Sequence, residues 1–163
     1  MTANTSERLF KSLQQVQQDY KDSLPPVDRW NPPLNGDLDM RIDREGQWFY
    51  QGGKINRPAM VTMFSRILKR EGDDYFLLTP VEKWRIKVDV APFVMVSLRV
   101  EQDAGTQGVI LTTNVGNEVL ISAANPFWIE QGIEDTPLPM MAVRNGLPGL
   151  LSRSVFYQLV DLC

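Results

Sequence analysis

Histidine is missing from all 163 residues. Its absence excludes Ser-His-Asp and Cys-His catalysis, the common zinc sites and the usual proton shuttle near neutral pH. An enzyme would have to work through carboxylates, lysine or tyrosine. Cysteine occurs once, as Cys163, so no internal disulfide is expected and the cytoplasm is favoured. No apolar run approaches the ~18 residues of a membrane span. The opening MTANTSERLFKSLQQVQQ has no basic stretch leading into an apolar block, so no secretory leader is expected. Basic excess is missing too. Lys and Arg number 17 against 20 Asp and Glu, the net charge is −3 and the pI is about 5.0. That balance argues against nucleic acid as a partner. With no polybasic cluster, it argues against a phosphoinositide surface as well.

The familiar nucleotide and calcium fingerprints are absent. Gly53-Lys54 is followed by Ile55 rather than Ser or Thr, and Trp48 stands where a P-loop needs its first glycine. No GxGxxG occurs. Asp37, Asp39, Arg41 and Asp43 begin like a calcium loop, but Ile42 takes the sixth position and Trp48 the twelfth. These aspartates are read as the solvated face of a strand, and neither a metal nor a cofactor is expected.

What is present is ordinary globular material: 43% hydrophobic and 23% charged residues. The length suits one medium domain or two small ones. Residues 5–20 carry Leu9, Phe10, Leu13 and Val16 on one helical stripe, for a helix lying across the domain or meeting a partner. LPPVDRWNPPLNG is an extended, proline-rich connector pinned by Trp30. Leu38, Met40 and Ile42 alternate with charged residues, Arg44-Glu45-Gly46 turns the chain, and Trp48-Phe49-Tyr50 returns it, giving a hairpin. A helix is expected over 57–69. Strands follow over 75–79, 84–90, 93–101, 108–113, 118–122 and 140–144, and a last helix starts at Arg153. The order is that of an α+β protein, an antiparallel sheet with helices at one side.

One internal match stands out. GKINRPAMVTMF, from Gly53, aligns with GLLSRSVFYQLV, from Gly149, and pairs Arg57 with Arg153. Asn56 and Ser152 suit helix N-caps. Each arginine then falls at a helix start, where the helix dipole disfavours a cation. A carboxylate partner or a bound anion would compensate.

The blocks RWNPPLNGDLDMRI, GQWFYQGGKINRP, LLTPVEKWRIKVDVAPFV, TTNVGNEV and VRNGLPGLLSRSVFYQLV occur in this order. Together they resemble the bacterial domain-of-unknown-function family 1285 over about residues 25–163. Gly149 departs from the small or longer apolar residue expected in the closing block. The resemblance implies a two-part α+β structure around a duplicated strand-turn-helix core. Its C-terminal part would be an antiparallel, pleckstrin-homology-like barrel closed by the last helix. It also implies a site between the parts for a nucleotide-like molecule and a role in signal transduction.

The resulting organisation is an N-terminal helical extension (1–24) and two subdomains (25–78 and 79–163). The expected function is non-catalytic small-ligand binding. The alternative is an adaptor for a protein partner, using the sheet edge or the N-terminal helix. Candidate ligand-binding residues are Trp30, Arg41, Trp48, Arg57, Glu82, Lys83, Asp89, Arg144 and Arg153. Glu82 and Lys83 would otherwise pair with each other or with water, and Asp89 would fix the turn before Ala91-Pro92.

Overall fold

Where Leu38, Met40 and Ile42 alternate with Asp37, Asp39 and Arg41, the chain forms its first strand and buries only the apolar set. The computed structural model describes residues 2–162. In chain order the elements are α1 (Thr2–Asp19), a 3-10 turn (Val27–Arg29), β1 (Gly36–Ile42), β2 (Trp48–Tyr50), β3 (Gly53–Lys54), α2 (Pro58–Ser65), β4 (Leu68–Glu71), β5 (Asp74–Leu78) and β6 (Lys83–Val88). Then come β7 (Phe93–Asp103), β8 (Thr106–Thr113), β9 (Glu118–Leu120), β10 (Phe127–Gln131), a second 3-10 turn (Ile133–Asp135), β11 (Pro137–Arg144), β12 (Leu147–Leu151) and α3 (Arg153–Leu162).

The chain divides into two sheet-dominated units with few helices. The first holds residues up to Arg41 together with Trp48–Val88; the second holds Ile42–Gln47 together with Asp89 onward. The expected boundary after residue 78 is therefore too early. It would detach β6, which pairs with β5 in the first unit through Tyr75↔Ile86 and Leu77↔Trp84.

The two sheets share one topology. The first runs β3-β2-β1-β6-β5-β4 and the second, reversed, β9-β8-β7-β12-β11-β10. Counted from its own first strand, each reads 3-2-1-6-5-4. In each, the first and last strands meet in parallel at the centre. In the second sheet Gly149↔Phe93 and Leu151↔Met95 set that register. In the first, the N–H of Asn35 bonds Lys83 O at 2.8 Å and the N–H of Asp89 bonds Ile42 O at 2.9 Å, so β1 and β6 run the same way. The expectation of a wholly antiparallel second sheet is corrected at this junction. The internal match is corrected as well. Gly53 lies on the third strand of its sheet and Gly149 on the sixth of the other, so the aligned stretches are not equivalent parts of the repeated topology.

In the first unit, α1 covers the core with Leu9, Leu13 and Val16 buried. Phe10 meets Phe64 of α2 at 6.0 Å between ring centroids, and Phe64 stacks on Trp48 of β2 at 6.0 Å and 15°. The N-terminal helix is thus core structure rather than an appended segment. Arg66 fixes its end: the guanidinium donates to Gln17 Oε1 at 2.7 Å and to the carbonyls of Tyr20 and Ser23. Those carbonyls lie where a helix runs out of its own donors.

The helix expected over 57–69 stops at Ser65, because Leu68–Glu71 pairs with β5 through Leu68↔Leu77 and Arg70↔Tyr75. Gly72 turns that hairpin in the left-handed region, φ 62°. Arg57, not Asn56, is the N-cap of α2, with Pro58 at the first helical position. At α3 the expectation holds: Ser152 Oγ accepts from the N–H of Val155 at 3.2 Å.

In the second unit α3 packs on β7 and β12, burying Val155 and Leu159. Gly149 is buried at the parallel junction, where a Cβ would sit 2.7 Å from Met95 Sδ and 3.0 Å from Val143 Cγ2. The departure noted in the sequence is therefore a packing requirement. Asn114 ties the 42–47 tip to β7: its Nδ2 donates to Gly46 O at 3.1 Å, and its Oδ1 accepts from the N–H of Val94 at 3.1 Å. Gly46 has φ +81°, and a Cβ there would lie 2.7 Å from Asn114 Nδ2.

Candidate functional site

Three separate segments of the second unit converge on a cavity of about 480 Å³: the 42–47 tip, the start of the Asp89–Ala91 stretch, and the β10–β11 connection. The tip brings Arg44 and the second segment brings Asp89 and Val90. The connection adds Glu130, Gln131, Gly132, Ile133, Thr136 and Leu138. The floor is apolar because Leu138 belongs to a buried cluster with Ala91, Met140 and Leu150, against which Val90 and Trp128 pack. The rim is charged, with one guanidinium and two carboxylates. Trp128 Nε1 donates to Glu130 Oε1 at 3.3 Å and steadies one of them.

The connecting loop is unusual backbone. The N–H of Gly132 bonds Thr136 O at 2.7 Å, and both Glu134 and Asp135 occupy the left-handed region at φ 60° and 59°. Two consecutive non-glycine residues there carry a conformational cost, which tends to accumulate at binding loops. Ile133, at the turn, is 88% exposed beside the opening.

Of the sequence candidates, only Asp89 lies on this cavity. Its backbone N–H bonds Ile42 O, so the residue also anchors the hairpin tip. Arg144 is elsewhere in the same unit, with Nη1 donating to Asn117 Oδ1 at 3.1 Å and its guanidinium carbon 4.9 Å from the centre of the Phe93 ring. Arg153 is exposed at the start of α3 and Arg57 is exposed at the start of α2. The two belong to different units.

The first unit accounts for the others. Trp48 is fully buried with Phe64 on its face, which makes it core and corrects its reading as a ligand-stacking residue. Trp30 is half-buried, edge-on to Tyr20 at 5.9 Å, as expected of a connector anchor. Arg41 is exposed on β1.

Glu82, just before β6, and Lys83, its first residue, bond different partners rather than each other. Glu82 is buried and accepts from Trp84 Nε1 at 2.8 Å and Ser12 Oγ at 3.4 Å. Lys83 Nζ lies 2.7 Å from Glu71 Oε1 and 4.5 Å from the centre of the Phe76 ring. Among the described residues no group of three or more metal-ligating side chains occurs, and no helix is long and apolar enough to cross a membrane.

The Lys83 hydrogen bond holds Glu71 below its ordinary value of 4.5, aided by the Lys83 charge and Lys69 and opposed by slight burial. A depressed carboxylate stabilises the fold above its unfolded pKa and stops doing so as pH falls through the folded one. Lys83→Met is therefore expected to cost about 0.2–1 kcal/mol at neutral pH, the range of exposed pairs. In urea titrations that difference should shrink below pH 4.5 and vanish once Glu71 is protonated in the folded state.

A family model for the N-terminal domain of DUF1285, a domain of unknown function, matches residues 25–91, and one for the DUF1285 C-terminal domain matches residues 92–163. The chain belongs to the DUF1285 family. A DUF1285 family protein from Silicibacter pomeroyi DSS-3 is 50% identical and has a TM-score of 0.81. The match covers 86% of this chain and 78% of that one. Another from Shewanella baltica OS155 is 26% identical, with a TM-score of 0.61 over 76% of this chain and 91% of the other. No curated protein matches. The DUF1285 models start at residue 25, beyond the α1 side chains that complete the first core.

Sequence reasoning missed Arg44, Glu130, Gln131 and Asn114. Arg44 sits in a segment read only as a turn, and Asn114 between two expected strands. Phe127–Gln131 was not recognised as a strand, so nothing marked Glu130 as a rim residue.

Proposed function

We propose that this DUF1285 protein binds a nucleotide-like small molecule in the second-unit cavity, without catalysis, as a sensing element of signal transduction in the cytoplasm. The observation that carries this reading is the meeting of Arg44 with Asp89 and Glu130 above the apolar floor of Val90 and Leu138. About 480 Å³ falls in the range of small-molecule sites, which are largely apolar with a few convergent polar groups. One guanidinium suits one phosphate. Two carboxylates suit sugar hydroxyls or exocyclic amines as acceptors. The charge balance favours a nucleoside monophosphate over a triphosphate, whose extra charges would face Asp89 and Glu130. Ile133 is placed to fold against the base.

The same proposal takes the second unit as pleckstrin-homology-like, on the strength of its antiparallel meanders and the packing of α3 on β7 and β12. It takes the shared strand order as the trace of a duplicated core.

A thermal-shift and calorimetric panel of nucleoside monophosphates tests the binding. At a hundredfold excess over Kd, a true ligand stabilises the fold by about 2.7 kcal/mol. Arg44→Ala should weaken binding at least tenfold, while the melting temperature without ligand stays unchanged, because Arg44 is exposed. A panel without any shift, or equal binding by Arg44→Ala, would overturn the proposal.

A further inference from the structure

The second sheet has a gap in its edge. β9 pairs with β8 only through Ile110↔Leu120, Leu111↔Val119 and Thr112↔Glu118. Beyond it, the N–H of Ile121 bonds Val109 O at 3.0 Å, and at the other end the N–H of Thr113 bonds Asn117 O at 2.8 Å. Residues 109, 111 and 113 therefore turn their main-chain groups toward β9, and alternation places Gln107 next in that row. The chain does not stay to meet it. Ser122 and Asn125 exchange main-chain bonds of 3.2 Å and turn the chain away toward β10. Gln107 is exposed, and β8 at residues 106–108 has β7 on one side and, among the described residues, no strand on the other.

Beside this gap lies a groove of about 490 Å³, lined by Glu101, Ala104, Thr106, Gly108, Ile110 and Leu120. Thr106, Gly108 and Ile110 share one face of β8, with Glu101 across from Gly108 and Leu120 across from Ile110. Gly108 keeps the groove open: a Cβ there would already approach Leu120 Cδ1 to 3.2 Å. Leu120 is 50% exposed. The rim is acidic on balance, because Arg99 is shared between the carboxylates of Glu101 and Glu118.

We propose that this open end of β8 docks an extended peptide that continues the line of β9. The peptide's main chain pairs with Gln107. An apolar side chain opposite Gly108 enters the groove against Ile110 and Leu120, and a Lys or Arg beside it meets Glu101. Strand addition takes affinity from main-chain bonds and specificity from alternate side chains. The surplus carboxylate selects the basic residue.

The test pans a display library of random linear peptides against the full chain, then titrates the synthetic form of an enriched sequence by fluorescence polarisation. Enriched peptides are expected to carry an apolar residue with a basic one at the next-but-one position, on the same face of the added strand. Gln107→Pro should weaken their binding at least tenfold. It removes only an N–H facing away from β7, so the β7–β8 ladder survives. Gly108→Val should fill the groove and lose a similar factor, and decides the matter if Gln107→Pro lowers the melting temperature. Glu101→Gln should lessen the preference for the basic residue. Nucleotide binding at the Arg44 cavity should be unchanged in Gln107→Pro, which separates the two sites. Failure to enrich any sequence, or unweakened binding by both edge variants, would overturn the proposal. So would sedimentation showing a dimer that Gln107→Pro dissociates, since a second copy would then occupy the edge.

Discussion

Replacing Leu13 by alanine should lower the stability of the first unit by about 3–4 kcal/mol, the cost of a cavity in a closed core. Leu13 is fully buried on α1, with Leu9 and Val16 buried on the same face and Phe10 against Phe64. Its neighbours cannot collapse onto the gap, because Arg66 pins the end of the helix to the body through Gln17 and the Tyr20 carbonyl. Differential scanning calorimetry should show the first unit's transition moving down by about 12–30 degrees, at about 4–8 degrees per kcal/mol for a small domain. Removing residues 1–24 should abolish that cooperative transition altogether. If the shortened chain melts like the full one, α1 contributes no core and the account of the first unit fails.

The second large effect concerns Trp48. Trp48→Ala is expected to cost about 3–5 kcal/mol, because it empties the centre of the Phe10–Phe64–Trp48 stack. Trp48→Phe should cost far less than its lost volume suggests. The indole Nε1 is buried and, among the described residues, has no hydrogen-bond partner. An unmatched buried donor is a standing penalty of about 1–3 kcal/mol, which phenylalanine removes. Urea unfolding followed by far-UV circular dichroism separates the outcomes. Comparable losses for the two variants would mean that the indole N–H is satisfied in solution.

Local patterns in the sequence reach some of these features and not others. The alternation in β1 and the stripe on α1 are visible because one side of each element is wet, and wet positions leave a polar record. β4 left no such record. ILKRE continues the helical texture of α2, and only its pairing with Tyr75–Leu77, across the Gly72 turn, draws it into a sheet. Such tertiary pairing overrides intrinsic preference. The parallel junctions are illegible for a related reason: they join strands more than 40 residues apart, and no turn sequence advertises them. The cavity suffers most. Arg44, Asp89 and Glu130 meet only after those junctions have formed, and exposed loop residues carry no periodicity. The arginines at helix starts drew notice through a rule of helix electrostatics, yet both are simply exposed.

The six residues of the 42–47 tip are made early and needed late. During vectorial synthesis they leave the ribosome well before Asn114, whose side-chain amide donates to the Gly46 carbonyl, and before the β10–β11 connection that faces Arg44. A nascent chain can close most of the first sheet once β6 has emerged, but the tip must wait, projecting and unclaimed, for the remaining half to arrive. Folding of the second unit is thereby made conditional on a piece that lies, in sequence, inside the first. A fragment beginning at residue 92 would lack its Arg44 wall and leave Asn114 without its acceptor.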